Sequence, residues 1–196
     1  DVYKRQVGLA DDHEWMGGAS MAQNGVICNP NIPSEEVFTT PHALRVEGYV
    51  SSTKPLSHQG TLIDNIRVVF EKGSITDAKA SKGETVLKKV LESDEGARRL
   101  GEVALVPNSS PISNSGLLFY NTLFDENAAC HIALGQCYSK CFKGDTNLST
   151  SEIRERGGNS SMIHIDWMIG SGEIDIDGFG KNGEIVPIFR KGEWVD

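Results

Sequence analysis

Three apolar stretches of this chain each carry isolated acidic or imidazole side chains: Glu102 in LGEVALV, Glu126 and His131 in FDENAACHIALG, and His164 and Asp166 in MIHIDWMIG. None of the three contains a lysine or an arginine. A carboxylate taken out of water without a partner costs several kcal/mol, so each must find a hydrogen-bonded or cationic neighbour elsewhere in the fold. Taken alone, His164 with Asp166 also fits a hydrogen-bonded core imidazole. Taken together, the five groups ask for a divalent cation. Mixed carboxylate and imidazole donors suit zinc, cobalt or manganese better than calcium. The candidates exceed the four donors that one tetrahedral ion takes, which points to two ions bridged by a carboxylate.

The local patterns place these groups on elements. MIHIDWMIG alternates as a strand, with His164 and Asp166 on one face and Ile163, Ile165 and Trp167 on the other. GEVALVP is a short buried strand. Asp125 is placed to cap a helix running to about Gly135, which would carry Glu126 and His131. Between Pro33 and Pro41, Val37 to Thr40 are strand-like, and Glu35 and Glu36 enter that run side by side, so the pleat sends them to opposite faces. Residues 62–80 form a hairpin turning at Lys72-Gly73, ETVLKKVLES a surface helix with one apolar stripe, and the C-terminal residues a meander turning near Asn182-Gly183 and Lys191-Gly192. NSSPISNSG and KGDTNLSTSEIRERGGNSS have loop composition. The sum is an α+β chain, a strand-dominated mixed sheet with a few helices.

With 196 residues, 38% of them hydrophobic, one sizeable core is within reach. The formal net charge of -8 argues against nucleic acid or an anionic membrane as partner and for a cationic ligand. No window approaches the ~20 apolar residues of a spanning helix. Cys28, Cys130, Cys137 and Cys141 form no CxxC pair, which fits a reducing cytoplasm better than a disulfide scaffold. The chain opens without Met and in mid-pattern, so a fragment lacking an N-terminal part is expected.

Two other metal patterns are set aside. EIDIDGFGKNGE matches five slots of a calcium loop, but its flanks read as strands where an EF-hand needs helices. Cys130, His131, Cys137 and Cys141 fit small buried cysteines on a helix better than a zinc knot. His13, His42 and His58 stand in polar or loop context and receive no role.

In this order, NIPSEEVFTTP, EGYVSSTKPL, LGEVALVP, SPIS, LFYNTLFDENAACHIALG and HIDWMIGS resemble the thermophilic-type metallo-aminopeptidases, the aminopeptidase T and aminopeptidase S family. The resemblance runs from about Trp15 to the C-terminus. It makes residues 1–196 look like the C-terminal, metal-binding catalytic part of a two-domain enzyme. What it implies is a dinuclear site for zinc, cobalt or magnesium, a cytoplasmic homodimer, and removal of N-terminal residues from peptides. By motif, the metal positions would be Glu36, Glu102, His131, His164 and Asp166. Glu126 of FDENA resembles a further metal-site carboxylate, and Tyr138 a tyrosine at or beside the metals.

The chemistry expected of such a site is hydrolysis by a metal-activated water, with a nearby carboxylate moving the proton. Glu35 is the candidate base and Tyr138 the candidate hydrogen-bond donor to the oxyanion. The alternative from another class is a metal-stabilised binding or structural domain without catalysis, although such sites are usually four-coordinate and Cys-rich.

Overall fold

Short apolar and β-branched runs separated by glycine turns give this chain its strands. The computed structural model describes residues 5–30, 32–144 and 147–195; the DVYK start, Asn31, Asp145, Thr146 and Asp196 lie outside the described residues. A four-stranded sheet runs in the order β1 (Arg5–Leu9), β6 (Pro41–Ser51), β9 (Arg67–Glu71) and β10 (Ser74–Lys79). A five-stranded sheet runs β13 (His164–Met168), β12 (His131–Gly135), β11 (Leu100–Leu105), β5 (Val37–Thr39) and β2 (Met16–Gly17). The C-terminal meander joins β14 (Ile176–Phe179), β15 (Ile185–Arg190) and β16 (Glu193–Trp194). Two small hairpins pair β3 (Ser20–Met21) with β4 (Ile27–Cys28) and β7 (Leu56–His58) with β8 (Thr61–Ile63).

The α+β, strand-dominated class holds, but the sheets are antiparallel in every pairing among the described residues rather than mixed. Short connections favour this arrangement, since parallel neighbours need a long crossover. The turn at Lys72-Gly73 has φ of 49° and 79°, matching the right-handed twist of β9 and β10. Helix α1 (Glu84–Leu91) buries Leu87 and Leu91, the stripe its spacing predicts.

Three expectations change. The run FDENAACHIALG is not one helix: α3 (Thr122–Asp125) passes into a 3-10 turn over Glu126–Ala128, Ala129 is extended, and His131–Gly135 is strand β12. All five residues of β12 are buried, and both its edges are paired, to β11 and β13. A central strand covered on both faces is a continuous apolar run, which periodicity alone does not separate from a buried helix. Asp125 instead accepts the N–H groups of Phe119 at 2.7 Å and Asn121 at 3.0 Å, tying down the approach to α3. The loop NSSPISNSG contains α2 (Pro111–Ser115), capped by Ser110 with Pro111 in its first turn. The long polar segment contains α4 (Thr150–Glu155), where Ser149 and Glu152 form a capping box.

One main core lies between the two larger sheets. Val46, Val50, Val68 and Phe70 of the four-stranded sheet pack with Leu87 and Leu91 of α1 against Leu100, Ile132, Leu134 and Trp167 of the five-stranded sheet. The opposite face of the five-stranded sheet is where the isolated polar groups emerge. Among the described residues no helix is long and apolar enough to cross a membrane.

Candidate metal centre

Strand register brings the polar groups to one face. Glu102 of β11 lies opposite Ala133 of β12, and Ala133 lies opposite Asp166 of β13. Cross-strand partners share a face, as do residues two apart. His131 and His164, each two positions before a member of that row, therefore join it. Ala104 of β11 pairs with Phe38 of β5, which brings Phe38 and, two residues earlier, Glu36 to the same side. The other residues in the middle of this face are small: Ala104, Ala133 and Gly135 leave room for the longer carboxylates and imidazoles between them.

Glu102 reaches this face through a bulge. The register shifts between Leu100, opposite Leu134 in the core, and Glu102, opposite Ala133. Gly101 is the extra residue. A Cβ there would come within 2.5 Å of the Gly135 carbonyl oxygen and 2.3 Å of that of Gln136, so only glycine fits.

The side chains converge in two overlapping triads, Glu36–Glu102–His131 and Glu102–His164–Asp166, with Glu102 common to both. His131 Nε2 lies 3.0 Å from Glu36 Oε2 and 3.8 Å from Glu102 Oε1; His164 Nε2 lies 3.4 Å from both Glu102 Oε2 and Asp166 Oδ2. Each imidazole is oriented by a backbone carbonyl behind it: His164 Nδ1 is 2.6 Å from the Gln136 oxygen and His131 Nδ1 is 3.1 Å from that of Ala129. With Nδ1–H donating there, Nε2 is turned into the carboxylates, the arrangement that fixes a metal-ligating histidine.

Charge in this cluster is incompletely satisfied by the protein itself. Burial by itself would lower the pKa of both histidines, but the facing carboxylates outweigh it: Asp166 and Glu102 push His164 up to about 11, and Glu102 and Glu36 hold His131 well above its usual value. Burial would raise Glu102, yet His131 and His164 bring it below the ordinary glutamate value. Glu36 Oε2, His131 Nε2 and Asp166 Oδ1 are nonetheless buried without a hydrogen bond. At 3.0 Å, Glu36 and His131 are in ion-pair contact but off the line a hydrogen bond needs. Orphaned donor atoms of mixed carboxylate and imidazole character, converging from β12, β13 and the residue just before β5, are what a divalent cation requires.

The triads floor a cleft of about 470 Å³ that Glu36, Glu102, Glu126, Tyr138, His164 and Asp166 all line. Glu126 stands outside both triads. Its burial, then the nearby Asp166 charge, push its pKa up to about 8. The Tyr138 ring centre is 4.8 Å from that of His164, and burial followed by the surrounding carboxylates raises its hydroxyl pKa. Glu35 is exposed; its backbone N–H donates to Asn127 Oδ1 at 2.7 Å, and its side chain is not among those lining the cleft.

The titratable lining residues to which sequence reasoning gave no role are His58 and Lys140. Both sit in polar stretches, where nothing in the pattern separates them from solvated side chains. The set-aside motifs are otherwise engaged. Asp175 accepts the N–H of Lys191, in the β15–β16 turn, at 2.8 Å, and Asp177 of β14 pairs with Arg190 of β15. Cys130, Cys137 and Cys141 are free, buried thiols, though none lies in an α-helix, and burial raises the pKa of each; Cys28 is exposed.

A model of the thermophilic metalloprotease (M29) family matches residues 4–194. The chain is 55% identical over 189 residues to Aminopeptidase T of Thermus aquaticus and 53% identical to Aminopeptidase 2 of Geobacillus stearothermophilus; each match covers 96% of this chain and 46% of the relative. The chain thus spans about half the length of the curated relatives it matches. The solved structure of wild-type AmpT from Thermus thermophilus, 52% identical, superposes with a TM-score of 0.92 over 98% of this chain and 47% of that one.

Proposed function

This chain belongs to the thermophilic metalloprotease (M29) family, and from that membership we propose that it is the metal-binding, catalytic part of a metallo-aminopeptidase that removes N-terminal residues from peptides. One observation carries the reading at the level of residues. A single buried carboxylate, Glu102, belongs to two triads whose remaining donor atoms include three with no hydrogen bond.

In this reading Glu36, Glu102 and His131 would hold one divalent ion, and Glu102, His164 and Asp166 would hold a second. Zinc, cobalt and magnesium are the ions proposed. When bound, such a pair polarises the scissile carbonyl and lowers the pKa of a water beside it.

The chain's own residues supply the rest. The acidic lining of the cleft attracts the protonated α-amine of a peptide, giving a preference for a free N-terminus. The carbonyls of Gln136 and Ala129 keep both imidazoles in the tautomer that offers Nε2. Two carboxyls compete for moving the proton to the leaving amine. Glu35 is exposed outside the cleft lining, whereas Glu126 lines it beside Asp166, where a carboxyl can meet the water and the leaving amine. That favours Glu126, which in the metal-loaded site also stands as a candidate ligand. Tyr138, a cleft-lining phenol that keeps its proton, is the donor proposed for the developing oxyanion. A cytoplasmic homodimer belongs to the same proposal.

The test uses this chain and a version extended to the length of the aminopeptidase T relatives, both loaded with zinc or cobalt. Release of p-nitroaniline from leucyl p-nitroanilide, with none from its N-acetylated counterpart, is the expected result. Cleavage of the acetylated compound overturns the aminopeptidase reading. Two tightly bound ions with no hydrolysis by either chain would favour the structural-domain alternative.

A further inference from the structure

Among the described residues, the cleft above the triads is lined by one lysine, Lys140, and no arginine. Its neighbours in the lining include Glu36, Glu102, Glu126 and Asp166, yet Lys140 forms no ion pair with any carboxylate of the described residues. The ammonium is held instead over two aromatic faces, 4.7 Å from the ring centre of Phe38 and 5.3 Å from that of Tyr138. Such contacts fix a cation without neutralising it.

The backbone that presents Lys140 is anchored on both sides. It sits in the 3-10 turn Ser139–Cys141, whose last residue is fully buried. Cys141 donates its N–H to Tyr138 at 3.1 Å and accepts that of Glu14 at 2.8 Å, and the buried Phe142 follows. A half-buried lysine in an acidic cleft, held by rings and a fixed turn rather than by a carboxylate, is a charge available to a ligand.

Distance says which part of a ligand. Lys140 Nζ is 5.3 Å from the Tyr138 ring centre, which is 4.8 Å from that of His164. The ammonium therefore lies at most about 10 Å from the imidazole, and an extended peptide advances roughly 3.3–3.6 Å per residue. Starting from a carbonyl held at the triads, a group one or two residues beyond the scissile bond reaches Lys140.

We propose that Lys140 is a specificity-determining subsite for a carboxylate one or two residues beyond the scissile bond. Its two sources are the free C-terminus of a di- or tripeptide and an acidic side chain. The proposal rests on the aminopeptidase reading for the direction of the bound peptide. Where the carboxylate is the chain end, the subsite selects short peptides, because a long peptide has no terminal carboxylate at that position; where it is a side chain, it selects an acidic residue there. A neutral or amidated end forfeits the charge-assisted hydrogen bond.

The experiment reads binding first, so that a protein without hydrolysis still answers it. Leucyl-glycine with its peptide bond reduced to a methylene-amine is titrated calorimetrically into the zinc-loaded protein, as the free acid and as the C-terminal amide. Wild type should bind the acid about tenfold more tightly. Lys140→Met should bring the acid-to-amide ratio close to one, and Lys140→Arg should keep most of it.

A second pair, the reduced-bond analogues of leucyl-aspartyl amide and leucyl-asparaginyl amide, separates the sources. Discrimination in this pair alone assigns the subsite to the side chain, and discrimination in the first pair alone to the chain end. Equal affinities in both pairs for wild type, or ratios that survive Lys140→Met, overturn the proposal. Hydrolysis of leucyl-glycine against its amide then splits KM from kcat: a fall in kcat on both substrates with an unchanged KM ratio would make Lys140 a positioning residue and also overturn it. Failure of free-amine hydrolysis counts against the aminopeptidase reading and leaves the binding comparison standing.

Discussion

Leu100 and Glu102 are two residues apart on one strand yet face opposite sides of the sheet. Leu100 packs in the main core opposite Leu134, and Glu102 stands opposite Ala133 in the cleft. Regular alternation would have sent both to the same side, and a carboxylate among Ile132, Leu134 and Trp167 would have had no partner. The bulge at Gly101 resolves that conflict. It allows one strand to contribute to the core and to the candidate metal centre.

Replacing Gly101 by alanine should therefore act on the site at one residue's remove. The added methyl meets the Gly135 and Gln136 carbonyls, both backbone atoms with little room to yield. Expected are a stability loss of about 1–3 kcal/mol in urea unfolding and a roughly 10- to 100-fold weaker zinc affinity in a chelator competition. Wild-type affinity and stability in this variant would remove the bulge from the account.

Sharing of Glu102 by both triads predicts unequal consequences for removing single charges. Asp166→Asn and His164→Ala touch one triad only, so each should leave about one ion per chain by elemental analysis after dialysis. Glu102→Gln should leave well below one. Its near-native circular dichroism would separate this from unfolding. If Glu102→Gln and Asp166→Asn lose the same amount of metal, Glu102 is not shared.

Much of this was legible in the residues, for physical reasons. Lone polar groups in apolar stretches are costly enough to imply one another, which is why Glu102, Glu126, His131, His164 and Asp166 stood out before any geometry and now line or touch one cleft. The two-residue spacing of His164 and Asp166 gave their common face directly, and the hairpin at Lys72-Gly73 and the stripe of α1 followed from local chemistry. Other features depend on pairing partners distant in sequence. His131–Gly135 is a strand only because β11 and β13 flank it, and the bulge exists only in relation to Leu134 and Ala133. Lys140 carried no signal, since a lysine in YSKC is indistinguishable from a solvated one until Phe38 is placed under it. The start of α4 was legible and overlooked, Ser149 and Glu152 having the spacing of a capping box.

Glu126 gives the metal-stripped protein a pH dependence of known sign. Its folded pKa, raised to about 8 by burial and then by Asp166, lies above that of the unfolded chain. The folded state then holds the proton more tightly, so stability falls as pH rises from about 4.5 and levels off above about 8, by roughly 3–5 kcal/mol in all. Glu126→Gln lacks that slope. In EDTA the variant should gain on wild type steadily between pH 5 and pH 8 in urea unfolding. A stability difference independent of pH would mean that Glu126 is already ionised in the fold. Adding zinc should reverse the order at pH 8 if the ionised carboxylate faces bound metal.

Asp94 holds the chain that delivers His164. Its carboxylate accepts the Ala97 N–H at 2.9 Å, capping the 3-10 turn Glu95–Arg98, and also the Met162 N–H at 2.6 Å and the Ser161 hydroxyl at 2.9 Å, just before β13 begins. These bonds, the one from Met162 foremost, hold its pKa below the ordinary aspartate value. A depressed carboxyl contributes stability that is complete above its unfolded pKa and is lost as pH falls through the folded one. Asp94→Asn keeps the shape but replaces one accepting oxygen with a donor, so it cannot serve both the turn and the strand entry. The expected loss at pH 7 is about 1–2 kcal/mol. The gap to wild type should begin to narrow as the buffer is taken below about pH 4, where the unfolded chain's carboxyl protonates, and close only below the depressed native value. Because Met162 and Ser161 lead directly into His164, of the two ions proposed above the variant should bind the one at His164 more weakly and retain the other. A gap that does not narrow at all as pH falls below about 4 would mean that the loss comes from packing rather than from the carboxylate's hydrogen bonds, and unchanged metal affinity would show that β13 is positioned by its pairing with β12 alone.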